Sequence, residues 1–296
     1  SFSPMRFNIR GYEQSYESSY INGVNVNGLE RGSFNYSMLG GLNDVTKVKD
    51  EFDGTQPNSY SFGSIGGSTN INTRPSALPT GSKVGMALSN RSYKYRVSFL
   101  HSTGMMNNGW AFAASGVIRY AHEGINEGTF YNSGAYFLSA EKKFNEKHSI
   151  SLATFGAPTQ RGQSSPATQE TYYLATSIYY NSYWGYQNGK KRNSRVVHSY
   201  DQTAIVSHDW KISETQRLRT GLGAHYSMYS NSALTFYNAP DPRPDYYRNL
   251  PLYQTDGKWR YDLGLEQFVA DKSTTNMPVY NEMMNFWTSP DLANTQ

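Results

Sequence analysis

Cysteine is absent from this chain of 296 residues, which excludes a disulfide framework and any thiolate metal site. A chain of this length buries enough core to stand without such staples. No apolar run reaches the roughly eighteen residues of a transmembrane helix, and no charged-then-apolar opening reads as a cleavable leader. Charge is thin as well: Asp, Glu, Lys and Arg make up 17% of the chain, with a formal balance of +4. Those charges are dispersed, whereas a nucleic-acid footprint needs a patch. The nearest approach to one, Lys190-Lys191-Arg192, reads as a solvated loop tip.

Catalytic sets are missing too. The six His stand at 101, 122, 148, 198, 208 and 225, with no His-Glu-x-x-His spacing to hold zinc. Ser207-His208-Asp209 spells the letters of a triad, but neighbours on a strand point to opposite faces and cannot converge. Gly63-Ser64-Ile65-Gly66-Gly67 lacks the Gly-Lys-Ser/Thr end of a phosphate loop. Asp241 and Asp245 lack EF-hand spacing. No catalytic residue, metal or cofactor is therefore expected, and the chain is read as a non-enzyme.

What the chain does have is aromatic side chains and strict alternation. Aromatics make up 15% of it, with 25 Tyr against 14 Phe and 5 Trp, and Tyr suits a boundary between apolar and wet surroundings. Tyr93, Tyr95, Val97 and Phe99 alternate with Lys94, Arg96 and Ser98, a period of two with one apolar and one hydrated face. Trp110, Phe112, Ala114, Gly116, Ile118 and Tyr120 likewise oppose Ala111, Ala113, Ser115, Val117 and Arg119. Tyr136, Leu138, Ala140 and Phe144 oppose Ser139, Glu141 and Lys143, with Lys142 on the apolar side near the strand end, where a lysine snorkels. Leu218, Leu222, Ala224, Tyr226 and Met228 oppose Arg217, Arg219, Gly221, Gly223 and His225. Arginines at alternate positions are costly facing lipid and comfortable in a watery lumen. The mean hydropathy of −0.68 does not argue against a membrane, because a barrel strand averages a greasy face with a wet one.

The connections sort by length. Residues 105–109, 145–147 and 213–215 are short polar turns, whereas 122–133, 158–195 and 230–296 are long. A membrane barrel keeps short turns on one side and long loops on the other. With a first strand rising from about Lys83, every long segment falls outside, and Trp110, Phe144 and Trp210 share the opposite rim as an aromatic girdle. The expected fold is all-β: about seven strands of a transmembrane antiparallel barrel, preceded by a small domain of short, Gly-punctuated segments. A soluble sandwich or propeller is the competing architecture; it predicts Tyr95, Val97, Phe112, Ile118 and Leu222 buried against a second sheet. An open sheet edge does not stand in a bilayer, so the chain is read as a piece of a longer barrel.

Specific motifs carry a resemblance. Phe7-Asn8-Ile9-Arg10-Gly11, Tyr20-Ile21-Asn22-Gly23-Val24, Asn43-Asp44-Val45-Thr46-Lys47-Val48-Lys49 and the stretch from Tyr60 to Asn72 resemble the plug of TonB-dependent outer-membrane transporters. Two departures stand out: Asn22 replaces the usual acid, and the Gly-Pro after Lys49 is missing. The 102–110 and 155–162 segments, with loop motifs at 183–189 and 241–247, resemble a barrel subgroup of gut and oral Gram-negative bacteria, the Bacteroidota.

The resemblance implies a partial plug over residues 1–76 and a partial barrel over 77–296, out of about 22 strands in the intact protein. The coupling box would precede Ser1, and the remaining wall would follow Gln296. It further implies energy-coupled import of a nutrient (siderophore, glycan, peptide or corrinoid), powered by the TonB-ExbB-ExbD complex in the Gram-negative outer membrane. A surface lipoprotein lid belongs to some relatives of this kind. Substrate is expected at the apical loop through Glu30, Arg31, Phe34 and Tyr36, and at the outer loops through Tyr183, Trp184, Tyr186, Arg243, Tyr246 and Tyr247. Arg10, Lys49 and the inward acid Glu141 are the candidates for a latch between plug and wall. A barrel of the same fold serving as an adhesive or structural scaffold, without import, is the alternative.

Overall fold

The computed structural model describes residues 11–235, 237, 238, 241, 243, 245–250, 260–262 and 267–269. A small sheet comes first. Strands β1 (Ser18–Ile21), β2 (Val24–Asn25), β3 (Lys49–Phe52) and β4 (Ser68–Ile71) lie in the order β2-β1-β4-β3, with β1 and β4 parallel and the other pairs antiparallel. Ile21 pairs with Val24 across Asn22-Gly23, whose φ values are 50° and 85°. Two successive positive φ values define the two-residue hairpin turn that Asn-Gly favours. Tyr20 to Val24 is therefore a hairpin and not one extended strand.

The second unit is an antiparallel wall. Its strands are β5 (Gly81–Leu88), β6 (Tyr95–Ser102), β7 (Trp110–Ala121), β8 (Tyr131–Lys143), β9 (His148–Gly156), β10 (Thr159–Gly162), β13 (Val196–Lys211) and β14 (Arg217–Asn231). Consecutive long strands pair in order, with β13 against β9 and β14 against β13, while β10 fits between β8 and β13 beyond the end of β9. Seven long strands thus make the wall, as the alternation predicts. Between β10 and β13 lie helix α1 (Gln169–Leu174) and a hairpin of β11 (Trp184–Gln187) and β12 (Lys190–Asn193). A separate pair, β15 (Arg260–Asp262) and β16 (Gln267–Val269), completes the described strands.

Connections 103–109, 144–147 and 212–216 lie at one end of the wall, and 89–94, 122–130 and 157–195 at the other. Trp110, Phe144 and Trp210 share the first end. The sorting by length fails once: 89–94 joins β5 to β6 at the long-loop end, yet is as short as the turns opposite.

The two faces of the wall differ as the pattern demands. The inner face presents Ala113, Val117, Ala135, Phe137, Ala153, Phe155 and Ile205, which are buried with Ile21, Phe34, Leu39, Leu42, Val45 and Ile71 of the small domain in one core. Serines 98, 102, 115, 139, 151 and 207 fill much of the remaining inner surface. Small side chains let a second unit approach closely, and each fully buried Phe or Leu contributes roughly 1.5–3 kcal/mol. The other face is bare: Tyr95 is 54% exposed, Val97 42%, Phe112 43%, Ile118 64% and Leu222 73%. No second sheet covers these residues among those described, which is the outcome a sandwich does not allow. No helix among the described residues is long and apolar enough to cross a membrane.

One residue leaves its expected face. Tyr93 is buried, its ring 5.9 Å from that of Tyr131 and 5.8 Å from the Arg119 guanidinium, all on the inner side. Strand periodicity begins only at Tyr95, so Tyr93 belongs to the turn and its ring folds inward.

Candidate functional site

The contact between the small domain and the inner face is polar at its centre. Where β1 and β4 end, the Asn22 side chain donates to Thr73 Oγ1 (2.9 Å) and accepts from the Thr73 amide (2.8 Å), and its backbone carbonyl accepts from Ser207 Oγ (3.1 Å). A carboxylate is acceptor-only when ionised, so the amide that replaces the usual acid suits this double role. The turn also presses on the wall, since a Cβ on Gly23 would meet Arg219 Cδ at 2.8 Å. Asn22→Ala leaves the Thr73 amide unpaired and puts a Cβ residue without a local hydrogen bond at positive φ. It should weaken docking of this hairpin by about 2–4 kcal/mol. Hydrogen exchange at the Thr73 amide reads the effect, and unchanged exchange would contradict it.

Next to this turn stands an ion network. Arg74 Nη2 lies 2.6 Å from Asp209 Oδ2, and Arg219 Nε lies 2.9 Å from Asp209 Oδ1, with Arg217 Nε at 3.4 Å. The Arg74 and Asp209 side chains are 13% and 7% exposed. Burial pushes the Arg74 guanidinium below its ordinary value, and Asp209 opposes that shift. Arg219 also stacks over Tyr60, 4.7 Å from the ring centroid, and the Tyr60 hydroxyl donates to Asp50 at 3.2 Å. Glu141 Oε2 accepts from the Ser76 amide (3.2 Å), and Ser102 Oγ donates to the Pro75 carbonyl (3.3 Å). Residues 73–76 are thus held from β6, β8 and β13 together.

A second contact forms around Gly40-Gly41. Gly40, at φ 58°, sits against Ala135 and Ala157, and Arg96 Nη2 donates to the Gly41 carbonyl at 3.0 Å. Nearby, Asp44 accepts from Lys83 (2.6 Å) and pairs with Lys47 (3.0 Å). Burial works to raise the Asp44 carboxyl, but the Lys83 and Lys47 hydrogen bonds outweigh it and hold the group below its ordinary value. A depressed carboxyl stabilises the folded form above its unfolded pKa, and that gain is lost as pH falls through the folded value. Docking of the 41–47 segment should therefore loosen on acidification below the ordinary carboxylate range, and Asp44→Asn should remove that part of the pH dependence. Proteolysis of this segment across a pH series measures it.

The sequence-predicted residues are placed as follows. Arg10 lies outside the described residues. Lys49 pairs with Glu51 on its own strand rather than with the wall, because successive odd positions of β3 share one exposed face. Glu141 does touch the small domain, through a backbone amide rather than a basic side chain. Glu30, Arg31 and Tyr36 are exposed, whereas Phe34 is buried in the shared core and not open to a substrate. Trp184 stacks edge-on with Tyr186 (5.8 Å) beneath the Lys191 ammonium (4.3 Å), and Lys191 bridges Glu123 and Glu127. Tyr183 lies under Arg195 (5.6 Å), Arg243 pairs with Asp241, and Tyr246 meets Tyr247 edge-on at 4.8 Å. The side-chain amide of Asn181 donates to the Glu127 carbonyl and that of Asn193 to the Gly128 carbonyl, while both also donate to the Gln163 carbonyl, tying the loops at 122–130 and 157–195 into one outer layer.

The principal seam residues, Arg74 and Asp209, were not singled out from the sequence. The signal was there: Asp209 precedes the girdle Trp210, so it must point to the opposite, inner face.

No family model matches the chain, and no curated protein matches it. Among solved structures, it is similar to the siderophore receptor PiuA from Acinetobacter baumannii, at 14% identity and a TM-score of 0.53 over 75% of this chain and 30% of that one. It is likewise similar to the ferric citrate transporter FecA, at 12% identity and TM-score 0.53, over 78% of this chain and 34% of that one. A third is the ferripyoverdine receptor of the outer membrane of Pseudomonas aeruginosa, at 13% identity and TM-score 0.52, over 80% of this chain and 31% of that one. The chain spans about a third of the length of these structures. What they share with it is the fold, that of TonB-dependent receptors: a β-barrel, of which this chain forms part.

Proposed function

We propose that the chain is the plug-and-first-wall portion of an outer-membrane receptor that imports a scarce nutrient, with energy drawn from the TonB-ExbB-ExbD complex. The observation that carries this reading is the seam. A small domain lies on the inner face of a wall whose outer face is bare and apolar, and hydrogen bonds and ion pairs hold its central contacts. Those polar contacts break and re-form in water, which suits a plug that must move and return, while the apolar core it shares with the wall holds it at rest. The exposed Glu30, Arg31 and Tyr36 and the loop aromatics Tyr183, Trp184, Tyr186, Tyr246 and Tyr247 are the groups that would meet the cargo.

Siderophores, glycans, peptides and corrinoids all suit such a surface, and the wall motifs favour the Bacteroidota subgroup, in which a surface lipoprotein would cap the outer face. The solved relatives handle siderophores or ferric citrate, so a ferric chelate is the first cargo to test. Cells carrying the intact protein should accumulate labelled chelate, or whichever ligand mass spectrometry finds on the purified protein. A protonophore or loss of TonB should abolish uptake. Binding at the surface with no energy-dependent accumulation would overturn import and leave the adhesive scaffold.

A further inference from the structure

On β5 to β9, β13 and β14 the outward positions carry no Asp, Glu or Arg. Among the described residues their one formal charge is Lys142, beside the short-turn rim. At that level four adjacent strands set six side chains in two neighbouring registers. Trp110 pairs with Lys142, Lys142 with Ile150, Ile150 with His208, and His148 with Trp210. Lys142 Nζ lies 5.1 Å over the Trp110 ring and donates to the Asn108 carbonyl at 2.8 Å. An ammonium has three donors, so two remain beside the bond to Asn108.

The histidines supply a second donor. His148 Nδ1 and His208 Nε2 are 3.2 Å apart, with ring centroids 5.4 Å apart and 5° between planes, and the Trp210 ring lies 5.5 Å from that of His148. A neutral imidazole has one N–H and one acceptor nitrogen. Whichever ring donates within the pair, the accepting ring keeps its own N–H, which has no other partner among the described residues. The dyad therefore always presents one outward donor.

We infer that this cluster binds the phosphate of an anionic lipid at the short-turn rim. A cross-strand diagonal such as Lys142 to His148 spans roughly 7–8 Å, a gap that one phosphate group bridges, with the ammonium on one oxygen and the imidazole N–H on another. Trp110 and Trp210 flank it at the depth where indoles settle in the headgroup region. The absence of outward carboxylates on these strands leaves the site complementary to negative charge.

The inference rests on the membrane reading, and its test separates the two. Native mass spectrometry of the intact protein in detergent compares equal amounts of phosphatidylglycerol and phosphatidylcholine. The wild-type protein should retain phosphatidylglycerol about five-fold over phosphatidylcholine, as one near-surface cation supplies. Lys142→Gln combined with His148→Phe and His208→Phe should bring the ratio near one, and Lys142→Arg should keep it. Equal retention in the wild type, or a preference that survives the triple variant, would overturn the lipid site. Loss of the preference to millimolar inorganic phosphate would overturn it too, assigning the donors to a free ion. Retention of neither lipid would overturn the membrane reading along with it.

Discussion

Asp209→Ala should release the small domain from the wall. The substitution strands Arg74 and Arg219, with side chains 13% and 18% exposed, and removing one partner of a buried ion pair costs about 3–5 kcal/mol. Exchange of backbone amides in residues 68–76 should rise by roughly two to four orders of magnitude in the intact protein. The cause is the uncompensated charge rather than lost attraction, so Arg74→Met, Asp209→Leu and Arg219→Met together should recover most of the protection. Protection unchanged in Asp209→Ala would show that the network is peripheral to docking. Failure of the triple variant to recover it would assign the effect to shape instead of charge.

Gly40→Val should separate the same two units from the other contact. A Cβ on Gly40 would stand 2.5 Å from Ala157 Cβ and 2.6 Å from Ala135 Cβ, and its φ of 58° disfavours a β-branched residue further. Neither alanine has a flexible end to swing aside. Overpacking of this kind costs about 1–3 kcal/mol, and backbone strain adds roughly 1–3 more. Protease sensitivity of residues 34–47 should increase sharply while the wall keeps its resistance. Gly189→Val serves as the control, since its Cβ meets nothing within 4 Å at a comparable φ of 70°. Equal sensitivity in the two variants would mean that strain alone acts and that Gly40 is not a docking point.

The wall was legible because its two faces meet different surroundings. Leu218, Leu222 and Tyr226 alternate with Arg217, Arg219 and Gly223, and the sequence pattern alone orients β14. Turns break that logic: Tyr93 kept the strand period in letters but lies in a connection, where backbone direction no longer follows it. Asn22-Gly23 carried a hairpin signal that the motif resemblance obscured. The 158–195 segment likewise hid β10, α1 and the β11–β12 hairpin, although Asn188-Gly189 marks the hairpin turn, with φ values of 52° and 70°. The seam was the least legible part. Arg74 and Asp209 are 135 positions apart, and only the tertiary packing of the small domain brings them together. Phe34 shows the reverse: its aromatic character suggested a binding anchor, and burial in the shared core spends it on packing.

The central claim is that the small domain is a plug that must leave the wall for cargo to pass. These 296 residues hold no cysteine of their own to compete with an introduced pair. A Cβ built on Gly221 lies 3.8 Å from Val24 Cβ, the separation typical of a disulfide. With Val24→Cys and Gly221→Cys oxidised in the intact protein, energy-dependent uptake should fall to background while surface binding persists, and a reductant should restore uptake. Undiminished uptake with the crosslink verified by mass spectrometry would contradict the account.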